Sequence, residues 1–240
     1  MDYYLGGYYL VEGVNRPEYS ATFLPLTIWS ISSCISPNYP DIWALPWTSY
    51  QDEKRLAFQT RLGLANTEFK EMQAWVNTAF NEDQFGWPNV WLNLDDAQEY
   101  YRCYLQAIPQ MKLLAIGIPA SYLDQCLKAA QPDAGMGQTG LYLLLLKPQK
   151  LSEFSNADAR RFELLNVEHG YVSHSFLCNH LEADYQKMKL TFNEYGLLAD
   201  YDDARQAEEF TNLETTPAEP GPWFPWLIVE YPLTSASPSG

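Results

Sequence analysis

Segments with strand composition alternate with segments of helical periodicity along this 240-residue chain, and this alternation constrains its fold more than any single motif. Runs of β-branched and aromatic residues predict strands at 3–11, 113–118, 161–167 and 226–231, with a further β-like stretch at 22–35. Apolar residues at helical spacing predict helices at 52–61, 67–80, 95–106, 121–130, 175–188 and 200–213. No linker or shift in composition divides the chain. The sequence therefore predicts one α+β domain over 1–233, built as a mixed β-sheet packed by several helices, and a flexible tail at 234–240.

The continuously apolar run at 141–146 predicts a strand that is buried on both faces. Together with the strand at 113–118 and the helix at 121–130, it would form a βαβ unit. The preceding segment GMGQTG at 135–140 matches the glycine pattern of dinucleotide-binding proteins. That pattern requires a strand before the glycines and a helix after them, which is the reverse of the order expected here. We therefore interpret 135–140 as a loop, and the sequence predicts no cofactor.

Negative charge is concentrated in two parts of the chain. The whole sequence has 30 acidic and 15 basic residues, a formal charge of −15. Residues 194–219 carry −7 and residues 82–99 carry −5, so these two runs hold most of the excess. A chain of this sign repels nucleic-acid phosphates and anionic lipids and attracts a basic protein partner. The alternatives are that the charge serves solubility alone, or that the two runs are solvated helices far apart.

The second acidic run suggests a surface that binds such a partner. Its best candidates are four carboxylates on the predicted helix at 200–213 and a nearby tryptophan: Asp202, Asp203, Glu208, Glu209 and Trp223. Exposed tryptophan beside acidic residues is typical of a protein-binding surface. Acidic residues at a helix start also complement the helix dipole, and a tryptophan within PGPWFPW at 220–226 could instead be buried in the core.

All three histidines occur in the stretch VEHGYVSHSFLCNHLE, which suggests a metal site formed by His174, Cys178 and His180. His174 and Cys178 are four residues apart and would share one face of a helix, and imidazole and thiolate are good zinc ligands. His180 lies off that face on an ideal helix, and no second cysteine pair or HExxH motif supports the site. The same residues could form a Cys–His nucleophile, or Cys178 could be a small buried residue.

The N-terminus lacks the basic region of a signal peptide, and no apolar stretch is long enough to span a membrane. Cys34, Cys103, Cys126 and Cys178 are scattered without a CxxC pair. These features predict a cytoplasmic protein with reduced thiols and no membrane association.

Three segments near the C-terminus, SFLCNHLEADY (175–185), NEYGLLADYDDAR (193–205) and EPGPWFPWLIVEY (219–231), resemble uncharacterised bacterial proteins similar to the immunity proteins of polymorphic toxin systems. The resemblance covers about the last quarter of the chain and brings no catalytic residue with it. It implies a bacterial source and a non-enzymatic binding function.

The leading hypothesis is therefore a non-enzymatic acidic protein that neutralises a basic toxin or another cationic protein. One alternative is an enzyme of unrecognised type that uses His174, Cys178 and His180, with or without zinc. Another is a structural or scaffold protein.

Overall fold

The computed structural model describes residues 1–18, 24–40, 52–134, 139–151 and 159–233. The predicted tail at 234–240 lies outside these residues. Within them, the strands are β1 (Tyr3–Glu12), β2 (Val14–Asn15), β3 (Thr27–Ile28), β4 (Asn38–Tyr39), β5 (Phe85–Gly86), β6 (Val90–Trp91), β7 (Met111–Pro119), β8 (Ala159–Glu168), β9 (Tyr171–Ser175) and β10 (Trp223–Tyr231). The α-helices in the same residues are α1 (Asp52–Leu62), α2 (Asn66–Asn81), α3 (Leu94–Tyr100), α4 (Leu123–Ala129), α5 (Gly140–Leu146), α6 (Glu182–Met188) and α7 (Tyr201–Thr211). The predicted α+β class is confirmed.

A large curled sheet has the order β5-β6-β1-β7-β10-β8-β9, and β4 also pairs with β1. The strands β2 and β3 pair separately. All of these pairings are antiparallel. The long central strands β1, β7, β10 and β8 correspond to the four predicted strands, whose aromatic and β-branched residues suit a pleated surface packed on both sides.

Each face of the sheet is covered by its own apolar layer, because neighbouring residues of a strand point to opposite faces. The paired residues Leu10 and Leu113 belong to a cluster with apolar residues of α1, α2 and α3. The adjacent pair, Tyr9 and Leu114, belongs to a second cluster with residues of α4, α5, α6 and α7. The sheet thus lies between two groups of helices.

The prediction of a strand at 141–146 is wrong, since these residues lie in α5. An apolar run of this length is compatible with either a buried strand or a buried helix. The Thr139 side chain accepts a hydrogen bond from the Tyr142 amide at 3.3 Å and so caps the helix. The βαβ unit is therefore not formed. Residues 135–138 lie outside the described residues, but α4 rather than a strand comes before them, so the dinucleotide pattern still lacks its strand.

The predicted helices at 52–61, 67–80, 121–130 and 200–213 are confirmed as α1, α2, α4 and α7, with small differences at their ends. The apolar stripe of α2 is buried through Phe69, Met72, Val76 and Ala79. The predicted helix at 95–106 begins as α3 and continues as a π-helical turn, Tyr101–Leu105. No helix in the described parts of the chain is long and apolar enough to cross a membrane.

Candidate metal-binding site

Cys34, His174 and Cys178 form a compact cluster of metal-ligating side chains. Their ligand atoms all lie within 4.8 Å of one another. The Cys34 Sγ is 3.7 Å from the His174 Nδ1. Zinc–sulfur and zinc–nitrogen bonds of ordinary length in a tetrahedral site separate neighbouring ligand atoms by about 3.5–3.8 Å. The cluster therefore has the dimensions of three corners of a tetrahedral zinc site after only small side-chain movements.

A serine-rich loop, WSISSCIS (29–36), positions Cys34. The Ser30 Oγ accepts a hydrogen bond from the Ser32 amide at 3.1 Å, and the Ser32 Oγ accepts one from the Cys34 amide at 3.3 Å. The Ser32 Oγ in turn donates to the Ser173 carbonyl at 2.9 Å, which joins the loop to β9. Serine hydroxyls that bind nearby backbone groups favour turns over regular ladders. The predicted β-like stretch at 22–35 is consequently reduced, within its described part, to β3.

The Glu163 carboxylate fastens this loop to the sheet. Glu163 is only 1% exposed. It accepts hydrogen bonds from the Ser30 hydroxyl at 2.5 Å and from the Ile31 amide at 3.1 Å. Burial raises the pKa of Glu163, while hydrogen bonds from Ser30, Ile31 and Ser175 oppose this rise. Glu163 thereby links the loop that carries Cys34 to β8 and to the end of β9.

His174 and Cys178 come together without the helix that the sequence predicts. His174 is in β9, which ends at Ser175, and Cys178 is in a 3₁₀ turn, Phe176–Asn179. The Ser175 side chain accepts a hydrogen bond from the Leu177 amide and caps this turn. The prediction of one helix over 175–188 is therefore wrong, and regular α-helix in this stretch is confined to α6.

The predicted ligand set changes by one residue. His180 has a left-handed backbone conformation (φ 54°) and an exposed side chain, and it lies outside the cluster. Cys34, which is 140 residues before His174, takes the third position. No spacing rule connects residues so far apart. The only local signal was a cysteine within a serine-rich segment, where side chains compete with regular backbone hydrogen bonding.

The two thiols differ in acidity and exposure. The nearby Cys178 thiol, with help from Ser32 and His174 and against the effect of burial, lowers the pKa of Cys34 to about 5. The same proximity, together with burial, raises the pKa of Cys178. Cys34 is exposed, whereas Cys178 and His174 are half-buried. Cys34 is therefore the more acidic thiol of the pair, and a bound cation would displace the remaining thiol protons.

The cluster opens onto a cleft of about 170 Å³. Cys34 and His174 form part of its wall, and Trp87 and Asn89 from the β5–β6 turn and Tyr171 from β9 contribute to the rest. An ion held by the three ligands would therefore be reachable from solvent. Its fourth coordination position would be available to water or to a small ligand.

The four acidic residues proposed for partner binding all lie on α7, but they differ in exposure. Asp202 and Glu209 are exposed, whereas Asp203 and Glu208 are half-buried. Three of the four have partners within the protein: Asp203 with the Thr191 amide, Glu208 with the Tyr122 hydroxyl and Glu209 with Arg205. The two acidic runs also attach to different parts of the sheet, since α3 packs on β1 and β6 while α7 packs on β8 and β10.

Trp223 is completely buried, and its indole nitrogen donates a hydrogen bond to the Glu219 carbonyl at 3.0 Å. Its side chain fills the core and has no surface to offer a partner in this conformation. The proline-rich PGPWFPW segment thus places Trp223 at the start of β10, where the ring packs with the apolar residues under α4 and α7.

Fold and site together define an α+β protein with a convergent Cys–His–Cys cluster at the edge of an antiparallel sheet. Comparisons with protein-family models, with curated proteins and with solved structures found no match to this chain.

Proposed function

We propose that this protein binds a thiophilic metal ion, with Zn²⁺ as the first candidate, through Cys34 Sγ, His174 Nδ1 and Cys178 Sγ. The observation that carries this proposal is the convergence of three zinc-type ligand atoms within 4.8 Å from segments far apart in the chain. Two thiolates would neutralise the charge of Zn²⁺, and neutral imidazole completes a Cys₂His set. With three protein ligands beside a cleft, the site resembles the open zinc sites of enzymes more than the closed sites of structural zinc.

The ligand positions are held by hydrogen bonds that exist without a metal. Ser32 fixes the Cys34 backbone and reaches β9, and Glu163 fastens the base of the same loop. Groups that hydrogen-bond to the segments carrying metal ligands orient those ligands and strengthen metal binding. These hydrogen bonds therefore hold Cys34 beside β9, the strand that carries His174.

The test is a zinc titration against a competing chromophoric chelator, together with thermal unfolding. At a free zinc concentration of 100 times Kd, binding stabilises the folded state by about 2.7 kcal/mol. For a chain of this length that corresponds to a rise in Tm of about 5–11 °C. Cys34→Ser and His174→Ala should lose this rise. His180→Ala is the matched control and should keep it, since His180 is a histidine of the same segment outside the cluster. An unchanged Tm with zinc, or an equal loss in the His180 variant, would exclude the site.

We also propose, as a second candidate function, that the outer side of α7 binds a basic protein, as the resemblance to immunity proteins implies. This proposal is supported by the exposure of Asp202 and Glu209 within a run of charge −7. Reversing both charges should weaken binding of a lysine-rich peptide at low salt, measured by fluorescence anisotropy. The matched control reverses Asp95 and Glu99, which are exposed on α3. Equal weakening by both pairs would show that bulk charge, and not a surface on α7, attracts the peptide.

A further inference from the structure

The cysteines of the cluster also have the arrangement of a reactive dithiol. We infer that Cys34 and Cys178 perform thiol–disulfide exchange and reduce low-molecular-weight disulfides. This activity goes beyond metal binding and requires no metal, although it uses two of the same side chains. It follows from the separation, the exposure and the surroundings of the two thiols.

The two sulfur atoms are close enough to react after a small movement. They lie within 4.8 Å of each other on two separate segments, the serine-rich loop and the 3₁₀ turn. A disulfide requires a sulfur–sulfur distance of about 2.0 Å, so one side chain or the loop must approach by roughly 2–3 Å. The remaining cysteines are placed differently: Cys103 is exposed on the π-helical turn and Cys126 is fully buried.

Exposure decides which thiol reacts first. Cys34 is exposed and lines the cleft, while Cys178 is half-buried behind it and is absent from the cleft wall. A small disulfide can therefore reach Cys34 from the cleft, with Trp87 and Tyr171 beside the incoming group. Cys178 is then in place to attack the sulfur of Cys34. Cys34 is thus the attacking cysteine and Cys178 the resolving cysteine.

The exchange balances in two steps. The Cys34 thiolate attacks one sulfur of the substrate, the substrate S–S bond breaks, and the first small thiolate leaves and takes a proton from water. Cys178 then attacks the Cys34 sulfur, the mixed disulfide breaks, and a Cys34–Cys178 disulfide forms while the Cys178 proton passes to the second leaving thiolate. Two electrons move from the protein sulfurs to the substrate, which leaves as two thiols.

The charge of the chain favours a cationic substrate. A formal charge of −15 attracts cations and repels anions at low ionic strength. Cystamine, a small disulfide with two ammonium groups, is therefore a better probe than an anionic disulfide of similar size.

The test uses chelator-treated, metal-free protein that carries Cys103→Ser, so that the other exposed thiol does not react. After exposure to cystamine and acid quenching, intact mass spectrometry should show the loss of two hydrogens without an adduct, and peptide mapping should find Cys34 linked to Cys178. Adding Cys178→Ser should stop the reaction at a single cysteamine adduct on Cys34. Adding Cys34→Ser should prevent both products.

Two results would overturn the inference: a cysteamine adduct that persists on Cys34 while Cys178 is intact, or the absence of any linked product. Because no metal is present in this experiment, a failure of zinc binding would leave its outcome unchanged. Failure of the dithiol reaction would equally leave the zinc titration unaffected.

Discussion

Replacing Glu163 with leucine tests the view that this buried carboxylate holds the Cys34 loop in place. Leucine has a similar size but accepts no hydrogen bond, so the Ser30 hydroxyl and the Ile31 amide would lose their buried acceptor. A buried donor without a partner costs about 1–3 kcal/mol. Two such donors give about 2–6 kcal/mol, and removing a carboxyl group whose burial is unfavourable offsets part of this. We expect a net loss of about 2–4 kcal/mol at neutral pH.

Glutamine is the matched control. Its amide keeps one acceptor oxygen for the Ile31 amide and donates through nitrogen to the Ser30 hydroxyl, as a protonated glutamate would. We therefore expect Glu163→Gln to remain within about 1 kcal/mol of the wild type at neutral pH. Calorimetry at pH 7 should show a Tm lower by about 4–16 °C for the leucine variant.

The pH dependence of stability independently tests whether burial of the Glu163 carboxylate is unfavourable. The pKa of Glu163 is raised in the folded state, so the unfolded chain loses this proton at lower pH than the folded chain does. As pH rises above about 4.5, this group therefore lowers wild-type stability, whereas glutamine contributes no such dependence. The stability of Glu163→Gln relative to the wild type should increase between pH 4 and pH 7, measured by urea unfolding.

Zinc affinity shows whether Glu163 acts locally on the Cys34 loop or only on the stability of the whole fold. If Glu163 positions the loop, the leucine variant at a temperature where it is folded should bind zinc about 10–100-fold more weakly, and the glutamine variant should not. A leucine variant as stable as the wild type would refute the reasoning. So would a glutamine variant as damaged as the leucine variant, because the negative charge and not the acceptor would then be responsible.

Three further predictions concern other sites. Lys112 and Arg160 each bind the Glu230 carboxylate at 2.7 Å and, against the effect of burial, lower its pKa. The stabilisation from these ion pairs is present at neutral pH and disappears as pH falls below about 4.5. In urea unfolding, Glu230→Gln should therefore lower the free energy of unfolding by about 1 kcal/mol at pH 7 and change it little at pH 3. A Cβ at Gly140 would lie 2.7 Å from the Val90 Cβ, so Gly140→Ala should cost about 1–3 kcal/mol in the same assay. Iodoacetamide at pH 6 should modify Cys34 before Cys103 in peptide mapping, because the pKa of Cys34 is lowered to about 5 while burial and Glu99 raise the pKa of Cys103.

The parts of the fold that could be predicted are those whose residue pattern fits only one kind of element. The central strands are rich in aromatic and β-branched residues, and the apolar residues of the amphipathic helix α2 repeat at helix spacing. The run at 141–146 has no periodicity, so nothing in it distinguishes a buried strand from α5. Two contacts favour the helix α5: the Thr139 cap and the close approach of Gly140 to Gly86. The cap is local in sequence, whereas the approach to Gly86 depends on the tertiary structure.

The candidate site was half predictable for a similar reason. His174 and Cys178 are only four residues apart, and a short spacing between possible ligands can be recognised in a single sequence. The two residues do not share a helix face as predicted, because β9 ends at Ser175 and a 3₁₀ turn follows instead of a helix. Cys34 reaches the cluster only because Glu163 and Ser173 bind the serine loop across the sheet, and these contacts span more than 130 residues.

Metal binding and disulfide formation cannot occur in the cluster at the same time, so each reaction can be used to test the other. A metal ion held by both thiolates leaves no thiolate to attack a disulfide, and a Cys34–Cys178 disulfide leaves His174 as the only ligand of the three. Zinc should therefore protect both cysteines from cystamine, and oxidation should abolish zinc binding until a reductant is added. The net charge of −15 favours the approach of either cation, so lowering the ionic strength should accelerate both reactions. Which of them prevails is then set by the relative concentrations of free metal and oxidant around an exposed Cys34.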